Sequence, residues 1–290
     1  MATNTPFGQR LGLVLEGGAM RGIYTAGVLD VFLEAGIMPD VVVGVSAGAL
    51  HGCRYVAGQK GRSIRYYRKY RSDKHFMGLY SLLTTGDVVG TKFCYEDIPL
   101  RLDPFDEAAF EKAPVDFYVT VTNVRTGKPE YILCDELKVG SKMDVIRAGA
   151  SMPLCSKMVE WNGNLYLDGG VSDSIPYAKM KDFGCRKSIV VLTQPAGYLK
   201  QPAAMAPFEA MYRKYPAFVE AMRGRDQMYN TEVCAVEQAA KQGDVFLIRP
   251  SKLLHVGRME HDIEVLNAQY ELGRQDARNQ MDAMREWMER

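Results

Sequence analysis

The sequence contains little that would support a metal site, a disulfide framework or a nucleic-acid surface. Its six cysteines are scattered and include no C-x-x-C pair, so we expect reduced thiols and neither zinc nor disulfide bonds. Lysine and arginine number 36 against 35 aspartate and glutamate residues, which gives a formal net charge of +1. This balance excludes a global positive field, so we expect no nucleic-acid partner.

Long apolar runs are missing too. No apolar stretch reaches the ~18 residues that a membrane-spanning helix needs. The first residues, MATNTP, lack the basic and apolar regions of a secretory signal. We therefore expect a cytoplasmic protein that meets a membrane, if it does, peripherally at the inner surface. With 290 residues, 47% of them hydrophobic, the chain can form one large α/β domain or a domain with a smaller helical part.

Histidine is scarce, which limits the catalytic bases available to the chain. Only four histidines occur: His51, His75, His255 and His261. Serine hydrolases with a catalytic triad use histidine as the base, oriented by aspartate or glutamate. Any triad in this chain therefore has very few candidates for its central residue.

What the sequence does contain is a nucleophile-elbow pattern at residues 41–50, VVVGVSAGAL. A β-branched run leads into Gly-x-Ser-x-Gly, and a helix-compatible segment follows. A serine on such a turn has strained backbone geometry and exposes its hydroxyl above the sheet edge. The residues two before and two after it lie against each other, and Gly44 and Gly48 leave the room required. The helix behind Ser46 directs its positive end at the site. An ordinary βα turn is the alternative explanation of this pattern taken alone.

A second glycine-rich turn, EGGAMRG at residues 16–22, follows a predicted buried strand at residues 11–15. It lacks the Gly-Lys-Ser/Thr ending of a P-loop, and alanine stands where a dinucleotide fingerprint needs glycine. We favour an oxyanion hole, in which the amides of Gly18 and Ala19 point at a developing negative oxygen. Arg21 would add positive charge there, although a surface salt bridge is the default for a single arginine.

The two glycine turns belong to one βαβ unit, so they should lie at the same edge of a parallel sheet. Alternation and turn signals predict the elements that follow. They are a hairpin over residues 116–133, a short helix over residues 143–151, a second hairpin over residues 161–167 with an Asn-Gly turn, and a buried strand over residues 188–193 that we expect to be the last of the main sheet. The second hairpin delivers Asp168 at a strand end.

Three ordered motifs together resemble the patatin-like phospholipase family. The family pattern is a glycine-rich oxyanion turn ending in Arg/Lys-Gly, then Gly-x-Ser-x-Gly, then Asp-Gly-Gly or Asp-Gly-Ala. This chain has GGAMRG at residues 17–22, GVSAG at residues 44–48 and DGG at residues 168–170. The departure is Ala19, where many members carry glycine. Alanine is small and keeps its N–H, so we expect the hole to form unless the backbone there needs a positive φ.

The resemblance covers residues 8–195, predicted to be a catalytic domain, and implies a three-layer α/β/α fold with a mainly parallel central sheet. Beyond a proline-rich boundary, residues 208–290 are predicted to be a mostly helical C-terminal extension whose role is open. Helices are expected at residues 208–242 and 262–290, with an edge strand at residues 245–250.

The resemblance also implies the catalytic groups. A Ser–Asp dyad would use Ser46 as nucleophile and Asp168 as general base, and neither a metal nor an organic cofactor is needed. The residues assigned to the oxyanion hole are Gly17, Gly18, Ala19, Arg21 and Gly22. Gly169 and Gly170 would let the chain turn sharply after the base. The expected activity is hydrolysis of a lipid or acyl ester, of phospholipase A, lysophospholipase or carboxylesterase type.

Rival interpretations belong to other classes. His255 and His261 follow Asp168 in the chain, so a Ser-His-Asp triad esterase is formally allowed. A non-catalytic lipid-binding member of the same fold is a second rival, and a nucleotide-binding α/β protein is a more distant third. The ester itself, its chain length and positional preference, and the oligomeric state are not fixed by the sequence.

Two stretches after the elbow bear on lipid contact. Residues 62–74 mix arginine and lysine with tyrosine, which suits either a face for anionic lipid headgroups or, as we favour, a solvated helix face with packed tyrosines. Residues 76–112 are predicted to form a cap over the site. Six of its apolar side chains are candidates for an acyl groove: Phe76, Met77, Leu79, Tyr80, Leu82 and Leu83.

Overall fold

The computed structural model describes residues 6–290, which form one sheet with helices on both faces. The first five residues, on which the expectation of no secretory signal rests, lie outside the described residues. Within residues 6–290 the sheet has eight strands: β1 (Arg10–Leu15), β2 (Val41–Val45), β3 (Asp116–Asn123), β4 (Pro129–Leu133), β5 (Val159–Trp161), β6 (Asn164–Asp168), β7 (Cys185–Val191) and β8 (Val245–Ile248).

Hydrogen-bonded neighbours form the path β5-β6-β3-β2-β1-β7-β8, in which β6 and β2 pair with the same edge of β3, and β4 pairs with its other edge. The five strands from β3 to β8 in this order run parallel, whereas β4, β5 and β6 pair antiparallel. The predicted mainly parallel sheet is therefore confirmed. The strand expected to be the last of the main sheet is not the last, because β8 pairs with β7 and forms the edge.

The helices lie on both faces, which makes the three predicted layers. They are α1 (Ile23–Glu34), α2 (Ala47–Val56), α3 (Arg62–Tyr70), α4 (Leu79–Thr85), α5 (Glu107–Lys112), α6 (Met143–Gly149), α7 (Ala206–Met211), α8 (Pro216–Arg223), α9 (Arg225–Gln242), α10 (Ile263–Asn279) and α11 (Met281–Glu289). Short 3₁₀ helices occupy Ala19–Gly22, Gly169–Val171 and Ala178–Lys181, and a π-helical stretch occupies Phe93–Leu102. The single helix predicted over residues 262–290 is two helices, divided at Gln280.

Burial on both faces explains why the central strands read as continuous apolar runs. Leu13 and Val42 pack in the core with α1, α2 and α10, whereas their neighbours Val14 and Val43 pack in a second core with α9. Successive side chains of a strand point to opposite faces, so both faces need apolar residues when both are covered.

The C-terminal extension is joined to the rest of the molecule in two ways. It supplies β8 to the sheet, and its helix α10 crosses α1 at glycines. A Cβ on Gly27 would lie 2.1 Å from the Tyr270 carbonyl oxygen, and one on Gly273 would lie 2.1 Å from the Tyr24 carbonyl oxygen. Only glycine permits this approach. The Tyr270 hydroxyl also donates to Asp30 Oδ2 at 2.5 Å.

The stretch over residues 62–74 is mainly structural. Tyr66, Tyr67 and Tyr70 are all buried in a small core that also contains Phe76. Tyr66 and Tyr67 stack, with ring centroids 4.4 Å apart. The favoured interpretation, a helix with packed tyrosines, therefore describes this segment better than an open lipid-binding face.

Candidate active site

The elbow predicted at Ser46 is present. β2 ends at Val45, α2 begins at Ala47, and Ser46 between them has φ 53° and ψ −122°, a conformation that non-glycine residues rarely adopt. A Cβ on Gly44 would lie 2.4 Å from the Ala49 Cα and 2.9 Å from the Gly48 carbonyl carbon. Gly48 itself is pressed against another strand, because its added Cβ would lie 2.3 Å from the carbonyl oxygen of Leu15 in β1.

The register of β3 brings Ser46 and Asp168 together. Val45 pairs with Thr120, and Asp168 pairs with the next residue, Val121. Strand β4 pairs with one edge of β3. Each β3 residue in that pairing also pairs on its other side, either with β2 or with β6. Strands β2 and β6 therefore lie along the same edge of β3, one beyond the other. The end of β6 therefore meets the end of β2. The Ser46 hydroxyl donates to Asp168 Oδ2 at 2.6 Å, and both residues are buried.

Backbone and hydroxyl groups hold Asp168 in place. The Gly170 amide donates to Oδ1 at 2.8 Å, which leaves Oδ2 for Ser46. The Thr122 hydroxyl donates to the Asp168 carbonyl oxygen at 2.8 Å, and the Asp168 amide donates to the Ser151 carbonyl oxygen at 2.9 Å. A carboxylate fixed at each of these points would lose little orientation entropy on accepting a proton.

Gly169 and Gly170 serve close packing more than a sharp turn. A positive φ, the usual reason for glycine in a turn, occurs at neither residue. A Cβ on Gly169 would lie 2.2 Å from the Thr120 carbonyl oxygen, so any side chain would push Asp168 away from β3. A Cβ on Gly170 would lie 3.2 Å from Asp168 Oδ1. The short 3₁₀ helix that they start then carries the chain away from the site.

Burial makes the Asp168 carboxyl less acidic. Desolvation raises the pKa of the Asp168 carboxyl above its ordinary value of 3.8, and the hydrogen bond from Ser46, the charge of Arg225 and the Gly170 amide oppose this rise. A carboxylate with a raised pKa has a stronger tendency to take the serine proton.

This environment predicts a pH dependence. Because Asp168 must be ionised to act as base, kcat/KM for an uncharged ester should fall on the acid side at a pH above that of an ordinary aspartate. Arg225→Met removes a positive charge that favours the carboxylate, so the acid limb should move to higher pH. Stopped-flow or plate assays of kcat/KM across pH measure the acid limb of wild type and of Arg225→Met. An acid limb at the same pH in both proteins would contradict this electrostatic coupling.

The glycine turn lies beside the elbow with free amides. Within residues 6–290, the amide N–H groups of Gly17, Gly18 and Ala19 donate no hydrogen bond. A Cβ on Gly17 would lie 2.8 Å from the Ser46 Cβ, so this turn lies directly against the nucleophile. Unpaired amides next to a serine hydroxyl are what an oxyanion hole requires.

The other two residues assigned to the hole contribute differently. The Arg21 amide donates to the Gly18 carbonyl oxygen at 3.1 Å, so Arg21 can offer the site its guanidinium but not its amide. A Cβ on Gly22 would lie 2.6 Å from the Ala47 Cβ. Gly22 therefore lets the turn pack on α2, and no part of it lines the two cavities at Ser46.

Ala19 occupies a strained backbone position. From the sequence we expected the oxyanion hole to form unless the backbone at Ala19 needs a positive φ. Its φ is 49°, in the left-handed region that glycine adopts without cost. An alanine there costs about 1–2 kcal/mol relative to the right-handed region. The backbone thus needs a positive φ at this point, and the chain accepts the strain while retaining the amide.

We therefore expect Ala19→Gly to stabilise the protein. Glycine relieves the left-handed strain but loses more entropy on folding, so a net gain of about 0.5–1 kcal/mol in the free energy of unfolding is expected. Ala19→Val, which is branched at Cβ, should lower that free energy instead. Urea unfolding of both variants beside wild type measures the difference, and equal stability of glycine and valine would contradict the strain.

Ser46 lies at the junction of two cavities. One has a largely apolar wall that includes Tyr67, Phe76 and Met77. The other is more polar and contains Asp168. Ser46, Ala19 and Met152 line both cavities, so the serine and a residue of the glycine turn lie where the two cavities meet.

Only part of the predicted acyl groove faces the apolar cavity. Phe76 and Met77 line it, as expected. The other four lie on α4 and are exposed, Leu79 at 69%, Tyr80 at 42%, Leu82 at 39% and Leu83 at 77%. None of these four lines the apolar cavity, because α4 is a short helix at the surface.

No histidine in the described chain hydrogen-bonds to Ser46 or Asp168. His51 is buried in α2, where its Nδ1 lies 3.0 Å from the Ser63 hydroxyl and desolvation holds its pKa well below 6.5. His75 pairs with Asp73. His255 and His261 are exposed and line neither cavity at Ser46. The geometry therefore favours the dyad over a triad.

Sequence reasoning missed a set of charged residues around the polar cavity. They are Glu16, Lys200, Arg225 and Arg258, together with Arg21, whose role was left open. The position of Glu16 could have been predicted from the sequence, because it directly follows a buried strand that ends at the site. The other three lie in loops or at helix ends of an ordinary charged segment, and nothing in their spacing distinguishes them from surface residues.

Across residues 6–290, no group of three or more histidine, cysteine, aspartate or glutamate side chains is arranged to hold a metal ion. None of the helices in these residues has the length and apolar character needed to cross a membrane.

Comparison with known proteins agrees with the motifs. A family model described as patatin-like phospholipase matches residues 13–180, and a model for a domain of unknown function, DUF6363, matches residues 215–289. These matches fall inside the two predicted segments, and the division at residues 195–208 stays a prediction.

Individual relatives differ in how much of them the chain covers. The uncharacterized protein YjjU of Escherichia coli (strain K12) is 28% identical over 273 residues, which cover 91% of this chain and 75% of YjjU. Lysophospholipase nte1 of Aspergillus terreus is 30% identical over 182 residues, which cover 61% of this chain but 11% of that protein. The crystal structure of VipD from Legionella pneumophila aligns with a TM-score of 0.46 and 12% identity, covering 96% of this chain and 67% of VipD.

The patatin-like model spans more than half of the chain and includes the glycine turn, the elbow and the aspartate. The chain belongs to the patatin-like phospholipase family.

Proposed function

We propose that this chain is a serine lipid acyl hydrolase of the EC 3.1.1 class, with Ser46 and Asp168 as a catalytic dyad. The observation that carries the proposal is the 2.6 Å contact between the Ser46 hydroxyl and Asp168 Oδ2, in a buried site beside unpaired amides. Membership of the family and the similarity to a protein named lysophospholipase support a lipid ester as substrate.

The geometry supports acyl transfer in two steps. In the first, Ser46 Oγ attacks the ester carbonyl carbon, and its proton passes to Asp168 Oδ2. The amides of Gly17, Gly18 and Ala19 then receive the oxyanion, and removing one such donor costs ~3 kcal/mol in other hydrolases. Asp168 returns the proton to the leaving alcohol, which gives an acyl-enzyme and a free alcohol.

In the second step a water molecule attacks the acyl-enzyme. Asp168 accepts the water proton, the same amides hold the second oxyanion, and the proton goes to Ser46 Oγ as the fatty acid leaves. One carboxylate thus serves as base and acid in alternation. An aspartate is a weak base toward serine, so the oxyanion hole and the raised pKa of Asp168 must supply much of the catalysis.

The test is acyl release from p-nitrophenyl esters with chains from acetyl to palmitoyl, followed by peptide mapping of a fluorophosphonate adduct. We expect turnover, a preference among chain lengths set by the apolar cavity, and an adduct on Ser46. An inert protein that still binds fatty acid or lipid would instead support a non-catalytic lipid-binding member of the fold, the rival function left by the sequence.

We also propose peripheral contact with a lipid surface through α4. Its exposed Leu79 and Leu83 lie close in sequence to Met77, which lines the apolar cavity. Exposed Lys74 and Lys92 flank the helix and suit anionic headgroups. Exposed leucines with lysines nearby in the sequence fit a lipid interface better than an ordinary surface.

We expect the double variant Leu79→Ser/Leu83→Ser to bind vesicles of phosphatidylglycerol at least about tenfold more weakly, because inserting a leucine contributes roughly 1.5–3 kcal/mol. Co-sedimentation measures this. Leu133→Ser/Met211→Ser, which changes two exposed apolar residues elsewhere, is the control. Equal binding by the two double variants would refute the α4 contact.

A further inference from the structure

The polar cavity at Ser46 carries an excess of positive charge. Four cationic side chains line it among the described residues: Arg21, Lys200, Arg225 and Arg258. Two carboxylates line it, Glu16 and Asp168, and Asp168 is already engaged by Ser46 and Gly170. The cavity therefore lies beside the nucleophile with two cations more than anions.

The four cations are not neutralised by ion pairs. In the described part of the chain, a carboxylate oxygen lies within 4.0 Å of none of them. Arg225 Nε donates to the Gly170 carbonyl oxygen at 2.5 Å, and the Lys200 ammonium lies 4.0 Å from the centroid of the Tyr229 ring. Arg21 Nε is buried without a partner. These contacts position the cations without a direct ion pair, and Glu16 and Asp168 act on Lys200 and Arg225 only from a longer distance.

The electrostatic cost of this arrangement is visible in Lys200. Desolvation, together with the charge of Arg225, lowers the pKa of the Lys200 ammonium to about 7. The charge of Glu16 opposes this fall in the pKa of Lys200, and burial raises the pKa of the Glu16 carboxyl itself. Three of the four cations are half-buried and Arg258 is exposed, and cations crowded in this way are stabilised when an anion enters between them.

We propose that these four side chains bind a phosphate group on the alcohol side of the substrate ester, while the acyl chain occupies the apolar cavity. This inference rests on the proposed hydrolase function and names its substrate class, a glycerol ester that carries phosphate. Phosphate matches the site because it is tetrahedral, carries one or two charges, and accepts paired hydrogen bonds from arginine.

The position of Ser46 fits this division of the substrate. A scissile ester has an acyl part and an alcohol part on opposite sides of its carbonyl carbon. Ser46 and Ala19 lie where the apolar and polar cavities meet, so each part would enter the cavity that suits its chemistry. Binding energy at the phosphate would then orient the carbonyl against the serine.

The proposal gives the C-terminal part of the chain a role. Lys200 lies in the loop before α7, Arg225 is the first residue of α9, and Arg258 lies between β8 and α10. All three fall after residue 180, where the patatin-like match ends, and two fall within residues 215–289. The extension would thus select the headgroup for a catalytic centre built by the rest of the chain.

The test compares two soluble substrates that share one ester, 1-octanoylglycerol 3-phosphate and 1-octanoylglycerol, both used as monomers. We expect wild type to favour the phosphate substrate in kcat/KM by tenfold or more. Each charge-assisted hydrogen bond to the phosphate should contribute at least about that factor. Lys200→Met and Arg258→Gln should each lower the ratio of the two kcat/KM values by about tenfold. Arg225 is left intact because it also acts on Asp168.

Matched variants keep the result specific. Arg213→Gln and Lys214→Met remove exposed cations of the same extension and should preserve the ratio. Lys200→Arg should retain most of the preference for the phosphate substrate. If wild type hydrolyses both esters equally, or if Lys200→Met and Arg258→Gln preserve the ratio, the phosphate site is refuted while the hydrolase function stands. If neither ester is hydrolysed, the hydrolase function fails instead.

A binding measurement does not need turnover. Titration calorimetry of Ser46→Ala protein with glycerol 3-phosphate and with inorganic phosphate distinguishes a lipid headgroup from free phosphate. Tighter binding of glycerol 3-phosphate, weakened in the Arg258→Gln background, supports the headgroup site. Binding of inorganic phosphate that equals it, or no binding of either, overturns the assignment.

Discussion

Asp168→Asn should reduce kcat for ester hydrolysis by about 10³-fold or more, within the range that general-base groups contribute. Asparagine has the same shape and can still accept the Gly170 amide. It cannot take a proton from Ser46, whose hydroxyl donates to Asp168 Oδ2 at 2.6 Å. A chromogenic ester assay on purified protein measures the loss.

This loss should occur without loss of the fold. The raised pKa of Asp168 means that the charged form costs stability above that pKa, so a neutral amide should leave the thermal midpoint at neutral pH equal or higher. Asp276→Asn is the matched control, because Asp276 is also buried and accepts a hydroxyl, that of Tyr24 at 3.1 Å. A comparable loss of activity in Asp276→Asn would show that Asp168 has no special role.

Ser46→Ala should remove turnover almost completely, by a factor on the order of 10⁶, as loss of the nucleophile does in other serine hydrolases. Alanine has the same backbone preferences as serine at the positive φ of 53°, so the elbow should keep its shape. Single-turnover assays should show no acyl-enzyme, and a fluorophosphonate should no longer label the protein.

Ser188→Ala provides the comparison for this change. Ser188 is buried in β7, on another strand of the same sheet, and hydrogen-bonds neither Ser46 nor Asp168. It should retain activity and labelling. Residual turnover in Ser46→Ala above about one part in a thousand of wild type, with a second labelled residue, would mean that another nucleophile acts.

Much of the scaffold could be predicted from the sequence because local signals determine it. The apolar run before Ser46 and the glycines on each side predict a strand, an elbow and a helix, and these elements are found. The positive φ of Asn162 and Gly163 similarly matches the predicted Asn-Gly hairpin. Each of these features depends on steric limits of a few neighbouring residues.

The contacts between distant segments could not be predicted in this way. The sequence placed Asp168 at a strand end, but its approach to Ser46 depends on β2 and β6 sharing one edge of β3. That arrangement depends on pairing between residues far apart in the chain. The motif resemblance supplied the partnership, and the structure supplies its geometry.

In the C-terminal extension, contacts between distant segments were even harder to predict from the sequence. Its helices and edge strand were predictable from periodicity, whereas the convergence of Lys200, Arg225 and Arg258 on one cavity was not. Charged residues in an ordinary charged segment carry no local sign of burial. Their position depends on α10 crossing α1 and on β8 joining the sheet.

The central claim is that Asp168, and no histidine, activates Ser46. The most direct measurement is acyl release by a His255→Ala/His261→Ala double variant, run beside wild type and Asp168→Asn on p-nitrophenyl butyrate. We predict that the double variant keeps activity within about threefold of wild type, while Asp168→Asn loses about 10³-fold or more. A double variant as inactive as Asp168→Asn would contradict the dyad and establish a histidine base.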